Sequence, residues 1–257
     1  MSLKLQEEVA FDYTAWGTGI AFAIGCGKSY LASGDTAPPA EDYSLDLFLN
    51  ELRAVKSALG LERCHVLGHG WGGMLALTAL SRATEEEKQA VASLSLASVP
   101  PSYKQLIQDR QKRARELPGK LRDALVGDAP ADLKATALNE YRRRFITSRP
   151  DAGCLNVASA GQSVVVHTAM IGPDQYQVGG LLKDWAAADL LSSVHLPPTM
   201  VLRGEDEELY SSSVDSLVQS LPSIVTVKSF AGAGSYAHID AWEPYLESLN
   251  TFMSDHD

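Results

Sequence analysis

Disulfide chemistry has almost nothing to work with in this chain. Its three cysteines, Cys26, Cys64 and Cys154, are odd in number, widely spaced and free of any Cys-x-x-Cys pair. That pattern indicates neither a disulfide framework nor a cysteine zinc site, and it predicts a reducing compartment. Long apolar runs are also missing: none approaches membrane-spanning length, and Met1 to Glu8 lacks the apolar core of a signal peptide. The reading is therefore cytoplasmic, with no membrane partner. Positive charge is scarce, with 22 Lys and Arg against 32 Asp and Glu, a formal net charge of -10 and a pI near 5.1. Such a field repels nucleic acid and anionic lipid, so neither is expected as a partner.

What remains is an ordinary globular composition, 45% hydrophobic and 21% charged over 257 residues, enough for one α/β domain with an inserted cap. The apolar run Gly19 to Ile24 reads as a buried strand closed by a glycine turn. Leu45, Phe48, Leu49, Leu52, Val55 and Leu59 recur at helical spacing, which predicts a helix over 43–59 with Gly60 as its stop. Strands are expected at His65 to Leu67, Val91 to Ala97, Thr199 to Leu202 and Ile224 to Val227. Helices are expected at Trp71 to Ser81 and Tyr245 to Met253, with a polar turn at Glu85-Glu86-Glu87. Alternating strand and helix predicts a mostly parallel sheet. Residues 102–182 are charged and strand-poor, so they read as a helical cap inserted between core segments 1–101 and 183–257. The basic run Arg142-Arg143-Arg144 reads as a solvated helix face.

The segment Val66-Leu67-Gly68-His69-Gly70-Trp71-Gly72-Gly73 has the form of a Gly-x-Ser-x-Gly nucleophile elbow, in which a buried strand turns sharply into a helix. Glycine replaces the serine at Gly70. Glycine tolerates the turn, so the architecture can persist without the hydroxyl. Ser163 in Gly161-Gln162-Ser163 lacks the second glycine and falls in the cap, which makes it a decoy. Gly25-Cys26-Gly27-Lys28-Ser29 ends like a phosphate-binding loop, but Phe22 stands where its first glycine belongs, and Tyr30 to Pro39 opens no helix. No cofactor or metal is expected.

Taken together, Gly25-Cys26-Gly27-Lys28-Ser29, Trp71-Gly72-Gly73-Met74-Leu75-Ala76, Met170-Ile171-Gly172-Pro173 and Gly180-Leu181-Leu182-Lys183-Asp184-Trp185 resemble the prolyl aminopeptidases (proline iminopeptidases). These are capped α/β-hydrolases that release N-terminal proline from peptides. The resemblance implies that Gly70 holds the nucleophile position and Ser235, in Gly234-Ser235-Tyr236-Ala237-His238-Ile239-Asp240, the position of the histidine base. In Gly204-Glu205-Asp206-Glu207-Glu208 it puts the acid at Glu207, with Asp206 as a one-residue alternative and a solvated acidic loop as the plain reading. Trp71 would supply an oxyanion N–H and a pocket wall. His69 and His238 read as structural or surface histidines rather than substitute bases. The resemblance further implies a His-Gly-Gly-Pro-Gly-like turn before Gly25, which this sequence lacks. That predicts a sheet truncated at its N-terminal side, whose open edge a second copy or a protein partner covers unless the gene product is incomplete. The expected protein is a hydrolase relic whose pocket takes a peptide or small molecule. The alternatives are a hydrolase of altered activity and an interaction subunit of a larger assembly.

Overall fold

The computed structural model describes residues 43–153 and 163–257, together with the backbone of four strands that precede them. Gly25 to Ser29, Cys154 and Gly161-Gln162 lie outside the described residues. In chain order the elements are β1 (Ser2–Leu5), β2 (Val9–Trp16), β3 (Gly19–Phe22), β4 (Tyr30–Leu31), α1 (Leu45–Ala58), β5 (Cys64–His69), α2 (Trp71–Ser81), α3 (Glu85–Gln89) and β6 (Val91–Ala97). The chain continues with α4 (Tyr103–Arg115), α5 (Gly119–Val126), α6 (Ala131–Tyr141), a π-helical turn (Arg142–Ile146) and α7 (Val164–Ile171). Then come α8 (Ala187–Leu191), β7 (Thr199–Gly204), α9 (Ser211–Ser220), β8 (Val225–Phe230), α10 (Ala237–Asp240) and α11 (Trp242–Ser254).

Two compact units are present. The first comprises Met1–Glu62, Asp151–Gln175 and Gly179–Lys183. In it β2 pairs antiparallel with β1, β3 and β4, so β1, β2 and β4 are strands that the sequence reading did not anticipate. Helix α1 starts at Ser44, whose hydroxyl accepts from Leu47 N at 3.1 Å, and stops before Gly60 at φ +63°. Ser163 is the N-cap of α7, its hydroxyl accepting from Val166 N at 3.3 Å, which accounts for it structurally. Gly172 and Gly180 let the chain fold back on the end of α7. A Cβ on Gly180 would lie 2.4 Å from the Met170 carbonyl oxygen, and Leu182 N donates to that same oxygen.

The second unit, Arg63–Pro150, Tyr176–Val178 and Asp184–Asp257, holds a four-stranded parallel sheet in the order β5-β6-β7-β8. β6 and β7 are buried at every position, as expected for parallel strands covered on both faces. Ala97, Met200, Leu202 and Phe230 on the sheet pack against Tyr245, Leu249 and Phe252 of α11. β8 runs three residues further than its apolar run suggests. Lys228 and Ser229 are exposed there, and backbone pairing continues to Gly204 opposite Phe230. The expected polar turn at Glu85-Glu86-Glu87 is the helix α3. Thr84 and Glu87 close a capping box, and three acids in the first turn favour the helix N-terminus.

Helices α4 to α6 enclose a small core of Ala114, Leu117, Tyr141 and Phe145. Asp109 of α4 is fully buried and does what the N-cap of α9 does not. Its carboxylate accepts from Tyr210 N at 3.2 Å, from Ser213 Oγ at 2.5 Å and from Gln105 Nε2 at 2.9 Å. Removing it strands buried donors at a helix start. Asp109→Ala is therefore expected to lower unfolding free energy by about 2–3 kcal/mol in urea titration, and an unchanged midpoint would refute this anchoring role.

Candidate functional site

Because β5 to β8 are parallel, the segments that follow them leave the sheet at one carboxyl edge, where open α/β sheets place their ligands. Gly70 follows β5, Ser98 follows β6, Glu205 to Leu209 follow β7, and Ala231 to Tyr236 follow β8.

Gly70 has φ 51° and ψ -116°. This combination lies outside the left-handed helical well and is comfortable only for glycine. Its N–H donates to the Ala97 carbonyl at 2.9 Å, and its own carbonyl accepts from Gly73 N and Met74 N as α2 begins. A Cβ built on Gly70 would meet nothing within 4 Å. The tight packing lies elsewhere in the turn. A Cβ on Gly68 would sit 2.5 Å from Gly73 Cα, and one on Gly73 would sit 2.1 Å from Val99 Cγ2, while Gly72 is open. The elbow's close approach therefore depends on Gly68 and Gly73, not on Gly72. Trp71 opens α2, half-buried, with its N–H in the first helical turn.

Ser235 is buried and takes part in five hydrogen bonds. Its N–H and hydroxyl both donate to the Phe145 carbonyl, at 2.9 and 3.2 Å, and its hydroxyl accepts from Glu208 N at 3.3 Å. Its carbonyl accepts from Ser98 Oγ and from His69 Nε2, each at 2.9 Å. Tyr236 N donates to the Ile146 carbonyl, so the π-helical turn gives two of its last carbonyls to this loop. Asp240 completes the junction. It accepts from Thr147 Oγ1, Ser148 N and Ser148 Oγ through one oxygen and from Gly234 N through the other. Arg142, Arg143 and Arg144 are exposed, and Arg143 pairs with Glu140.

A carbonyl oxygen only accepts, so His69 carries its proton on Nε2 and leaves Nδ1 bare. Burial holds the His69 pKa below its ordinary value, against the opposing pull of the Ser235 bond and of Glu208. The ring packs edge-on against Tyr236 and His238, with centroids 5.2 and 5.3 Å away. Burial, then His69, pushes His238 down to about 4 while Asp240 opposes. Both imidazoles are therefore neutral at pH 7.

The acidic loop is not solvated. Glu205 and Asp206 are exposed, but Glu207 is 0% exposed and Glu208 7%. Glu208 is satisfied: Arg110 grips both its oxygens, at 3.0 and 3.2 Å, and Tyr141 donates at 2.9 Å. Neither oxygen of Glu207 has a hydrogen-bond partner among the described residues. Burial pushes its pKa up to about 8, with the Ser98 hydroxyl and the Arg203 guanidinium opposing. The Ser98 hydroxyl, however, donates to Ser235. Arg203 Nε stands 3.8 Å from Glu207, beyond hydrogen-bond range, and donates to the Gly204 carbonyl. Ser98 itself has φ 49°, the one positive φ outside glycine among the described residues.

A serine–histidine–aspartate chain does occur elsewhere. Ser93 Oγ lies 2.8 Å from His65 Nδ1, and His65 Nε2 lies 2.8 Å from Asp257 Oδ1. His65 and Ser93 face each other near the amino ends of β5 and β6, about four residues and roughly 13 Å of strand before the elbow. Ser93 is 1% exposed, so its hydroxyl is a satisfied core group that no substrate reaches. Ser98, Asp240 and the Arg110–Glu208–Tyr141 network escaped the sequence reading, since no motif marks them. Among the described residues no group of three or more His, Cys, Asp or Glu could hold a metal ion, and no helix is long and apolar enough to cross a membrane.

Residues 24–241 match the family model described as alpha/beta hydrolase fold. The proline iminopeptidase of Lactobacillus helveticus is 27% identical over 243 residues, covering 91% of this chain and 79% of its own. That of Lactobacillus delbrueckii subsp. bulgaricus is 28% identical over 241 residues with the same coverage. The crystal structure of proline iminopeptidase from Mycobacterium smegmatis superposes with a TM-score of 0.80 at 28% identity, over 92% of this chain and 79% of that one.

Proposed function

This chain belongs to the alpha/beta hydrolase fold family, and from that premise we propose that it is a prolyl-aminopeptidase-like protein without catalytic turnover, whose pocket binds a peptide or small molecule. The observation that carries this reading is Gly70: the elbow keeps the φ of 51° and ψ of -116° of a raised nucleophile while offering no atom that can attack. Ser235 supports it. A hydroxyl committed to Phe145 and Glu208 takes no proton, and Glu207 has no ring to orient. In this reading Glu207 is the acid position and exposed Asp206 is not, Trp71 N–H and the α2 terminus remain as an oxyanion-type donor set, and 102–182 is a helical cap inserted between core segments 1–101 and 183–257. The chain is cytoplasmic and needs no cofactor.

The test is turnover by the purified chain of proline-4-nitroanilide and of short acyl esters. The expected rates equal those of heat-denatured protein, with binding of proline-containing peptides retained in calorimetry. Steady turnover that co-purifies with the chain would instead support a hydrolase of altered activity.

A further inference from the structure

Among the buried titratable groups of the described residues, Glu207 is the one carboxyl at the site that the proposed binding role does not use and that has no hydrogen-bond partner. We propose that Glu207 is a pH-sensitive latch: held as a neutral acid inside the loop after β7, it keeps that loop closed, and its ionisation opens it. The geometry is that of a group that cannot carry charge where it stands. Both oxygens are fully buried and without donors, and a bare carboxylate in such a place is far costlier than a neutral acid.

The groups that face it settle the sign. From β7, Arg203 is the nearest cation, 3.8 Å away but engaged with its own neighbouring carbonyl. From α4, Arg113 contributes a weaker attraction, and within the loop the Glu208 charge repels. From the segment after β6 comes only the Ser98 hydroxyl. Burial outweighs these attractions, so the folded pKa of about 8 stands above the ordinary 4.5. The folded state then holds a proton that the unfolded state has released between these two values. Stability from this group is complete below about pH 4.5, falls as pH rises, and is gone above about 8. The same loop gives Glu208 N to Ser235 and both Glu208 oxygens to Arg110. Opening it therefore loosens the contact between the loop and α4.

The experiment is urea unfolding of the wild type and of Glu207→Gln at pH 5 and pH 8.5, with hydrogen exchange of the 205–209 amides at both. The glutamine keeps the shape and does not titrate. The wild-type folding constant is expected to fall relative to that of the variant by on the order of a thousandfold between the two pH values. Exchange of the loop amides should accelerate at pH 8.5 in the wild type only, beyond the intrinsic rise common to both proteins. Parallel pH profiles would overturn the latch. If Glu207→Gln fails to fold, infrared spectroscopy of the wild type decides: a protonated carboxylic acid band at pH 7 that vanishes by pH 9.5 is expected, and its absence at pH 7 overturns the proposal. None of these readouts involves substrate, so they stand or fall separately from the proposed lack of turnover.

Discussion

Gly70→Ser is expected to fold and to stay inert toward proline-4-nitroanilide, even though it restores the hydroxyl to its place in the elbow. The space is there, since a Cβ at this position touches nothing within 4 Å. The cost is conformational: a side chain at φ 51° and ψ -116° is strained by about 1–3 kcal/mol. The new hydroxyl would nevertheless find no histidine at the position of Ser235, whose own hydroxyl is engaged with backbone. Nucleophile and base act as a unit, so one without the other recovers almost nothing. Adding Ser235→His to Gly70→Ser supplies a ring in the loop after β8, where the side chain already reaches the Glu207–Glu208 segment. The double variant should exceed either single variant by on the order of a thousandfold. That gain stays short of a full triad, because the histidine must displace Ser235 from the Phe145 carbonyl and Glu208 N. Comparable turnover in Gly70→Ser alone would show that a base already stands in the pocket.

The second large effect concerns folding rather than chemistry. Gly68→Ala should destabilise the protein by about 3 kcal/mol or more. Its methyl would lie 2.5 Å from Gly73 Cα, where backbone meets backbone and neither side can yield cheaply. Gly73→Ala meets the Val99 side chain at 2.1 Å and should cost somewhat less, because a valine methyl can shift. Gly72→Ala, exposed near the start of α2 with open space around it, should be neutral or stabilising by up to about 1 kcal/mol. Thermal melts of the three variants give the order. Equal losses at positions 68 and 72 would contradict the assignment of close packing to Gly68 and Gly73.

These glycines also show what the sequence makes legible. A strand-to-helix turn with backbones in contact demands glycine at particular positions, so the elbow leaves a local signature. The parallel strands β6 and β7, buried on both faces, leave one as well, in continuous apolar runs. What the sequence does not display is burial that arises only in tertiary structure. Glu205 to Glu208 look like one acidic surface loop, yet two of the four carboxyls point inward, and nothing local separates exposed Asp206 from buried Glu207. Asp109 reads as one more charge on a polar helix because its partners, Tyr210 and Ser213, lie a hundred residues away. Thr84 and Glu87 could have revealed α3, since a capping box is a local pattern, but three adjacent glutamates masked it as a turn. That a serine, Ser235, stands where the resemblance expects the base is legible in the sequence. Its use as a tie between the π-helical turn and the loop after β8 is not.

Reaction of the purified protein with a fluorophosphonate serine probe, followed by intact mass and peptide mapping, tests the absence of a working nucleophile most directly. The expected spectrum shows no adduct on the native chain, and a slow adduct at residue 70 only when Gly70→Ser is combined with Ser235→His. A one-to-one adduct on the unmodified chain at any serine, abolished by unfolding, would contradict it.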